Sequence, residues 1–221
     1  MKIFVASDIH GSAHYTKKFA KIIEKEQPDQ IILLGDIYYH GPRNKFPKGY
    51  SPKETASVLN SYKSKIKCVR GNCDAEVDQM ISSFEIQDSY ETEISGKSFL
   101  FVHGQNLDPS NMPKKDFTFG GHTHCYVIIE YNGITTYINP GSLGLPKNSK
   151  FPTFAVIEDN KITIRKLDVK ILEQKYFLQT KNDTSFSVVF IVIVFDLLLL
   201  VQPFVEWKAI RPSMNILRHH L

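Results

Sequence analysis

Cysteine is scarce in this 221-residue chain: Cys68, Cys73 and Cys125 are odd in number and form no Cys-x-x-Cys pair. A disulfide framework and an all-thiolate zinc site are thereby excluded, and reduced thiols in a cytosolic protein are expected. Long charge runs are also missing. The 27 basic and 23 acidic residues are dispersed and leave a net charge of +4, so a nucleic-acid footprint is not expected and phosphate preference must come from a built site. The opening Met-Lys-Ile-Phe-Val-Ala turns polar at Ser7-Asp8, an apolar run too short for a signal peptide. There is no internal repeat and no low-complexity linker. At 42% apolar and 23% charged residues, the composition is that of a globular chain long enough to bury one core without crosslinks.

What is present is a recurring order of apolar strand, polar loop and helix. Residues 2–6 read as a short buried strand, the polar loop Ser7-Asp8-Ile9-His10-Gly11 follows, and Phe19, Ala20, Ile22 and Ile23 then recur at helical spacing up to Glu26. Ile31 to Leu34 is a second apolar run, between Pro28-Asp29 and Gly35-Asp36, and predicts a buried parallel strand. Ser51-Pro52-Lys53-Glu54 predicts a helix start with a capping box, leading to a third strand over 66–70 and the loop Gly71-Asn72-Cys73-Asp74. Beyond residue 88 the runs are shorter and strand-like, at 92–94, 98–102, 126–131, 134–138, 153–157 and 161–164, separated by Ser95-Gly96 and the hairpin dipeptide Asn132-Gly133. A helix-rich first part and a strand-rich second part predict an α/β (α+β) fold, two sheets face to face with helices outside.

The composition breaks at the C-terminal end. Residues 186–205, FSVVFIVIVFDLLLLVQPFV, are about long enough to cross a bilayer, with Asp196 near the middle. Three readings stay open for the extension 176–221: a membrane-associated helix, a packed element on this chain or a partner, and a non-native tail. Removal of residues 180–221 separates them, since a cytosolic enzyme keeps solubility and activity while a lipid hydrolase loses access to its substrate.

Chemistry-bearing residues gather just past the predicted strands. Singly, each has a bland alternative: Asp8-x-His10 as a turn, Asp36 as a cap, Asn72 as a turn residue beside glycine, His103 and His122-x-His124 as polar strand ends. Jointly, Asp-x-His, Asp, Asn, His and His-x-His at five successive strand ends point to a site, because open sheets place functional residues at their carboxyl edge. Imidazoles with carboxylates and an amide oxygen suit manganese, iron or zinc better than calcium. Asp8, His10, Asp36, Asn72, His103, His122 and His124 are too many for one tetrahedral ion and fit two neighbouring divalent ions bridged by Asp36.

The series Asp8-Ile9-His10, Gly35-Asp36, Gly71-Asn72, His103 and Gly121-His122-Thr123-His124 resembles the calcineurin-like metallophosphoesterase superfamily. The words His40-Gly41-Pro42-Arg43-Asn44, Arg70-Gly71-Asn72-Cys73-Asp74 and Asn139-Pro140-Gly141-Ser142 are similar to its small bacterial YfcE-type phosphodiesterases. The resemblance covers residues 1–175 and implies a four-layer α/β/β/α sandwich that hydrolyses a small phosphodiester by attack of a hydroxide bridging two metal ions, manganese before zinc or iron. It implies one ion on Asp8, His10, Asp36 and His124 and the other on Asp36, Asn72, His103 and His122. Many relatives carry histidine where this chain has Cys73, and a thiol is a poor general acid near neutral pH. His40 and Arg43 follow Asp36 where relatives contact phosphate, so either is expected to share that role. Two other readings compete: a non-catalytic protein-interaction scaffold, as in the retromer subunit of this fold, and a membrane-surface phospholipid or pyrophosphate hydrolase. The expected location is cytoplasmic, and a homo-oligomer is common for a sandwich of this size.

Overall fold

Side chains alternate faces along a strand, so a strand apolar at every position must be covered on both sides. Ile3 to Ala6 and Ile31 to Leu34 are such runs, fully buried throughout. The computed structural model describes residues 1–131 and 133–177, and within them these runs lie at the centre of a sheet. Asn132, the apolar segment 186–205 and the rest of the extension from residue 178 lie outside the described residues.

The described elements are β1 (Ile3–Ala6), α1 (Ala13–Glu26), β2 (Gln30–Leu33), α2 (Pro52–Asn60), β3 (Ile66–Val69), α3 (Glu76–Ile81), β4 (Ile86–Gln87), β5 (Tyr90–Ile94), β6 (Lys97–Phe101), β7 (Phe117–Phe119), β8 (Val127–Tyr131), β9 (Thr135–Asn139), β10 (Thr153–Glu158), β11 (Lys161–Lys166) and β12 (Ile171–Tyr176). One sheet has the order β12-β11-β10-β1-β2-β3-β4, the other β5-β6-β7-β9-β8. Strands β1 to β4 run parallel, while β1 pairs with β10 antiparallel through Ile3 opposite Ile157 and Val5 opposite Ala155.

Two cores result from the alternation. Phe4, Ala6, Ile31, Leu33, Cys68, Phe154 and Val156 pack with Phe19, Ile22, Ile23 and Leu59 of the helices. Ile3, Val5, Ile32, Leu34, Val69, Ala155 and Ile157 point the other way and meet Phe99, Phe101, Phe117, Phe119 and Ile138 of the second sheet. The fold is thus the expected α/β arrangement of two facing sheets, with all three described helices before residue 82. Phe177, the last described residue, is buried with its ring 5.1 Å from that of Phe117.

Local signals are realised with one difference. Ser51 Oγ accepts the Glu54 N–H, and Pro52 is the first residue of α2, as predicted. The reciprocal half of the capping box is not made: the Ser51 N–H donates to Gly11 O, and the Glu54 carboxylate pairs with Lys17 on α1. Tertiary partners outcompete the local bond because they tie α2 to the first loop and to α1. Ser95 and Gly96, both at positive φ, turn β5 into β6. At the other hairpin Gly133 has φ 66° and the Ile134 N–H closes the turn on Tyr131 O.

Candidate active site

The loops leaving β1, β2 and β3 in one sheet and β6 and β7 in the other converge at one end of the seam between the sheets. Their backbones touch. Gly35 has φ +90°, and a Cβ there would lie 2.4 Å from Gly71 N, so only glycine lets the loops after β2 and β3 meet. A Cβ on Gly121 would fall 1.9 Å from Ser7 Oγ and 2.6 Å from Asp8 Oδ2, which is how the second sheet reaches the first. Hydrogen bonds fasten the approach: Asp8 N–H to Gly35 O, His10 N–H to Asp36 O, Gly121 N–H to His103 O and Gly144 N–H to Asp8 O.

All seven candidate ligands arrive in this region. Asp8, His10, Asp36, His103 and His124 are buried, His122 is half-buried, and Asn72 is exposed at the mouth. Three imidazoles are oriented in one way: the Nδ1–H donates to a backbone carbonyl, His10 to Tyr39 O at 2.7 Å, His103 to Leu34 O at 2.6 Å and His124 to Leu145 O at 2.7 Å. That bond fixes the ring and turns Nε2 inward, the arrangement in which histidine holds a metal. His10 Nε2 and His124 Nε2 stand 3.2 Å apart. Two lone pairs at that distance repel unless a cation lies beside them.

The carboxylates complete two neighbouring groups. Asp8 Oδ2 accepts from Ser7 Oγ at 2.6 Å and from the His122 N–H at 3.0 Å, whereas its buried Oδ1 has no hydrogen-bond donor and faces His124 Nε2 at 3.3 Å. Asp36 faces both groups, Oδ2 lying 3.6 Å from His10 Nε2 and Oδ1 3.5 Å from His103 Nε2. Asn72 Oδ1 is 3.1 Å from His103 Nε2 and 2.7 Å from His122 Nδ1. Donor atoms of Asp8, His10 and His124, and of Asp8, Asp36 and His103, lie within 4.8 Å of one another. An orphaned buried carboxylate oxygen amid inward imidazole nitrogens fits divalent cations.

Protonation tells the same story. Burial pushes the Asp8 carboxyl up to about 7. Burial acts likewise on Asp36 but is outweighed by the hydrogen bond and charge of His103, which hold it at about 2. His103 answers in kind: burial lowers it, yet Asp36 and Asp8 raise it to about 9. Burial takes His124 down to about 4 and lowers His10 as well. Without an ion, the pocket therefore keeps a proton on His103 to balance its carboxylates.

The backbone is bent to make this possible. Asp8, His10, Asp36, His122 and His124 all have φ between 50° and 64°, a left-handed region that non-glycine residues seldom occupy. Left-handed turns at both His122 and His124, not alternation along a strand, direct the two rings.

Of the other predicted residues, Cys73 is in the pocket. Its Sγ shares a 4.8 Å group with His10 and Asp36, and burial followed by the Asp36 charge pushes the thiol up to about 12. Arg43 is exposed on the loop after β2, and its charge contributes to lowering the His122 pKa after burial and His103. His40 is packed between aromatic rings of that loop, its Nδ1 buried without a partner. Sequence reasoning assigned no role to the residues that hold the ligands. Asp74 accepts the N–H groups of Asp36, Ile37 and Gly71 at 2.7 to 2.8 Å. Ser142 Oγ donates to Asp8 O, and Asn139 Nδ2 donates to Gly121 O and Thr123 Oγ1. Asp74 and the Asn139 to Ser142 word were visible as motif neighbours, but not their partners.

The sequence profile of the calcineurin-like phosphoesterase superfamily domain matches residues 1–161. The chain belongs to that superfamily. Among calcineurin-like phosphoesterases it is similar to phosphodiesterase YfcE of Escherichia coli strain K12, with 36% identity over 179 residues, 79% of this chain and 97% of that one. The solved structure of the E. coli phosphoesterase Yfce superimposes with a TM-score of 0.76 at 33% identity, covering 80% of this chain and 99% of that one. An archaeal phosphodiesterase (TM-score 0.52, 21% identity, covering 80% and 100%) and Vps29 of Entamoeba histolytica (0.57, 20%, covering 80% and 100%) share the fold. Like its superfamily, the chain is a phosphoric ester hydrolase, and divalent metal ions are the cofactors that membership implies.

Proposed function

We propose that this chain is a phosphodiesterase acting on a small phosphodiester with two divalent cations, one on Asp8, His10, Asp36 and His124 and the other on Asp36, Asn72, His103 and His122. The observation that carries the reading is the partnerless, buried Asp8 Oδ1 facing imidazoles already anchored through Nδ1, with the two oxygens of Asp36 divided between the two groups. When bound, such a cation pair supplies hydroxide at neutral pH and neutralises charge on the phosphoryl oxygens. The chain's own residues position and exclude. The carbonyls of Tyr39, Leu34 and Leu145 hold the imidazoles, and Ser7 and the His122 N–H hold Asp8. Asn72 at the mouth and the buried His103 beneath it would flank the phosphate, the exposed Arg43 is available to its outer oxygens, and Cys73 keeps its proton through the neutral range and is no efficient proton donor to a leaving group. Diesters with good leaving groups are accordingly favoured.

The mixed oxygen and nitrogen donor set suits manganese, zinc or iron, and manganese is put first on the family resemblance. The catalytic domain is placed at residues 1–175 and the protein in the cytoplasm. Among the described residues no helix is long and apolar enough to cross a membrane. The deciding assay uses metal-stripped protein on bis(p-nitrophenyl) phosphate and p-nitrophenyl phosphate with manganese, magnesium, zinc or no metal. Metal-dependent turnover favouring the diester is expected, and two ions bound per chain without turnover would favour the scaffold reading instead. Asp36→Asn should lower kcat about a hundredfold or more and weaken metal uptake together. A fully metallated, active Asp36→Asn enzyme would contradict the ligand assignment.

A further inference from the structure

Four rings stand together on the loop that leaves β2. His40 is the hub, its centroid 4.7 Å from Tyr39, 4.4 Å from Phe46 and 5.3 Å from Tyr50, and Phe46 is 4.9 Å from Tyr50. Such a cluster ordinarily closes over a core, yet Phe46 is 66% and Tyr39 42% exposed. The loop is also tied to the site. Tyr39 O accepts the Nδ1–H of His10, a Cβ on Gly41 would lie 3.3 Å from Cys73 Sγ, and Asn44 Nδ2 donates to His40 O across the exposed Arg43. One loop thus carries a cation and an open aromatic face next to residues that touch the site, and the His40 imidazole is held by ring packing with no bond to Nδ1.

We propose that Phe46, backed by His40 and Tyr50 and flanked by Tyr39, is a stacking platform for a planar aromatic group on the ester arm that stays with phosphorus, so that the preferred substrates are diesters bearing an aryl ring or a nucleobase. The inference rests on the phosphodiesterase reading. Stacking on an exposed aromatic face tolerates any π-system, so the platform selects for planarity and not for one base. Arg43, exposed on the same loop, is the cation available to the phosphate end.

The test holds the leaving group constant and varies only the retained arm. With manganese-loaded enzyme, kcat/KM is measured for p-nitrophenyl diesters whose second arm is ethyl, phenyl or thymidine 5′-yl, in the unmodified chain, Phe46→Ala and Phe46→Trp. Phe46→Ala should lower the aromatic-to-ethyl ratio about tenfold, and Phe46→Trp should restore it. A fall shared by the phenyl and thymidine arms supports the platform, whereas a fall confined to one of them overturns selection by planarity. Because Phe46 is exposed, its replacement leaves both cores intact. A ratio unchanged within about twofold in Phe46→Ala overturns the platform alone, whereas an unmodified chain that turns over none of the three overturns the phosphodiesterase reading and the platform with it.

Discussion

His122 has φ 64° while His103 is absent from the left-handed positions, although both face Asn72. The difference can be read by substitution. At a left-handed position a β-carbon is strained by roughly 1 kcal/mol, and elsewhere glycine is worse than alanine by about 0.5–1 kcal/mol through backbone entropy. His122→Gly should therefore be more stable than His122→Ala by about 1 kcal/mol, and the order should reverse for His103→Gly and His103→Ala. Urea denaturation of the four metal-free variants checks the crossover. An identical order at both sites would mean the backbone relaxes once the imidazole is gone. Identity of the seven candidate ligands was legible in the sequence, since each stands in a short motif just past an apolar run. Their left-handed geometry was not, because histidine and aspartate carry no propensity strong enough to announce it and the conformation is imposed by bonds from other loops.

Between elements the same point recurs. Asp74, five residues past the end of β3 at Val69, binds the loop after β2 to the loop after β3 through three N–H groups. Replacing it leaves buried donors unmatched, so Asp74→Ala should cost about 3 kcal/mol and weaken metal uptake through the displaced Asp36. Urea denaturation paired with manganese titration tests both, and a destabilised variant with unaltered uptake would separate Asp74 from the site. The long apolar runs of β1 and β2 and the capped start of α2 were predictable because each carries a strong local signal. α3, β4, β7 and β12 were not. β4 has two residues and β7 three, too few for any period to emerge. α3 spans six residues and leaves Val77, Met80 and Ile81 exposed, so no apolar stripe marks it. In β12 a single apolar pair, Ile171-Leu172, precedes Glu173-Gln174-Lys175, and the strand exists because β11 offers it an edge.

For the molecule as a whole, the site spans one end of the seam between two sheets whose facing sides pack through the second core. Under the proposed assignment, a cation held by Asp8 and Asp36 from one sheet and His103, His122 or His124 from the loops of the other would stabilise their union as well as serve the chemistry. At a hundredfold excess over Kd, one bound ion contributes about 2.7 kcal/mol, which in a chain of this size raises Tm by about 5–10 °C. Calorimetry of stripped protein with and without manganese measures it, and equal Tm values at confirmed occupancy would show that the sheets do not depend on the ions.

The register of the central strand sets a schedule. β1 takes β2 on one side and, on the other, β10 at Thr153–Glu158. While the chain is being made, its first strand must wait for a neighbour about 150 residues later, and both faces of that strand are oily in the meantime. A fragment of residues 1–150 should accordingly lack cooperative unfolding by circular dichroism, and cooperative melting of that fragment would refute the dependence. Since His122 and His124 also come after two-thirds of the described chain, the proposed ion capture would belong to the finish of biogenesis: the emerging polypeptide would have to be sheltered by its surroundings before a metal could be of any help.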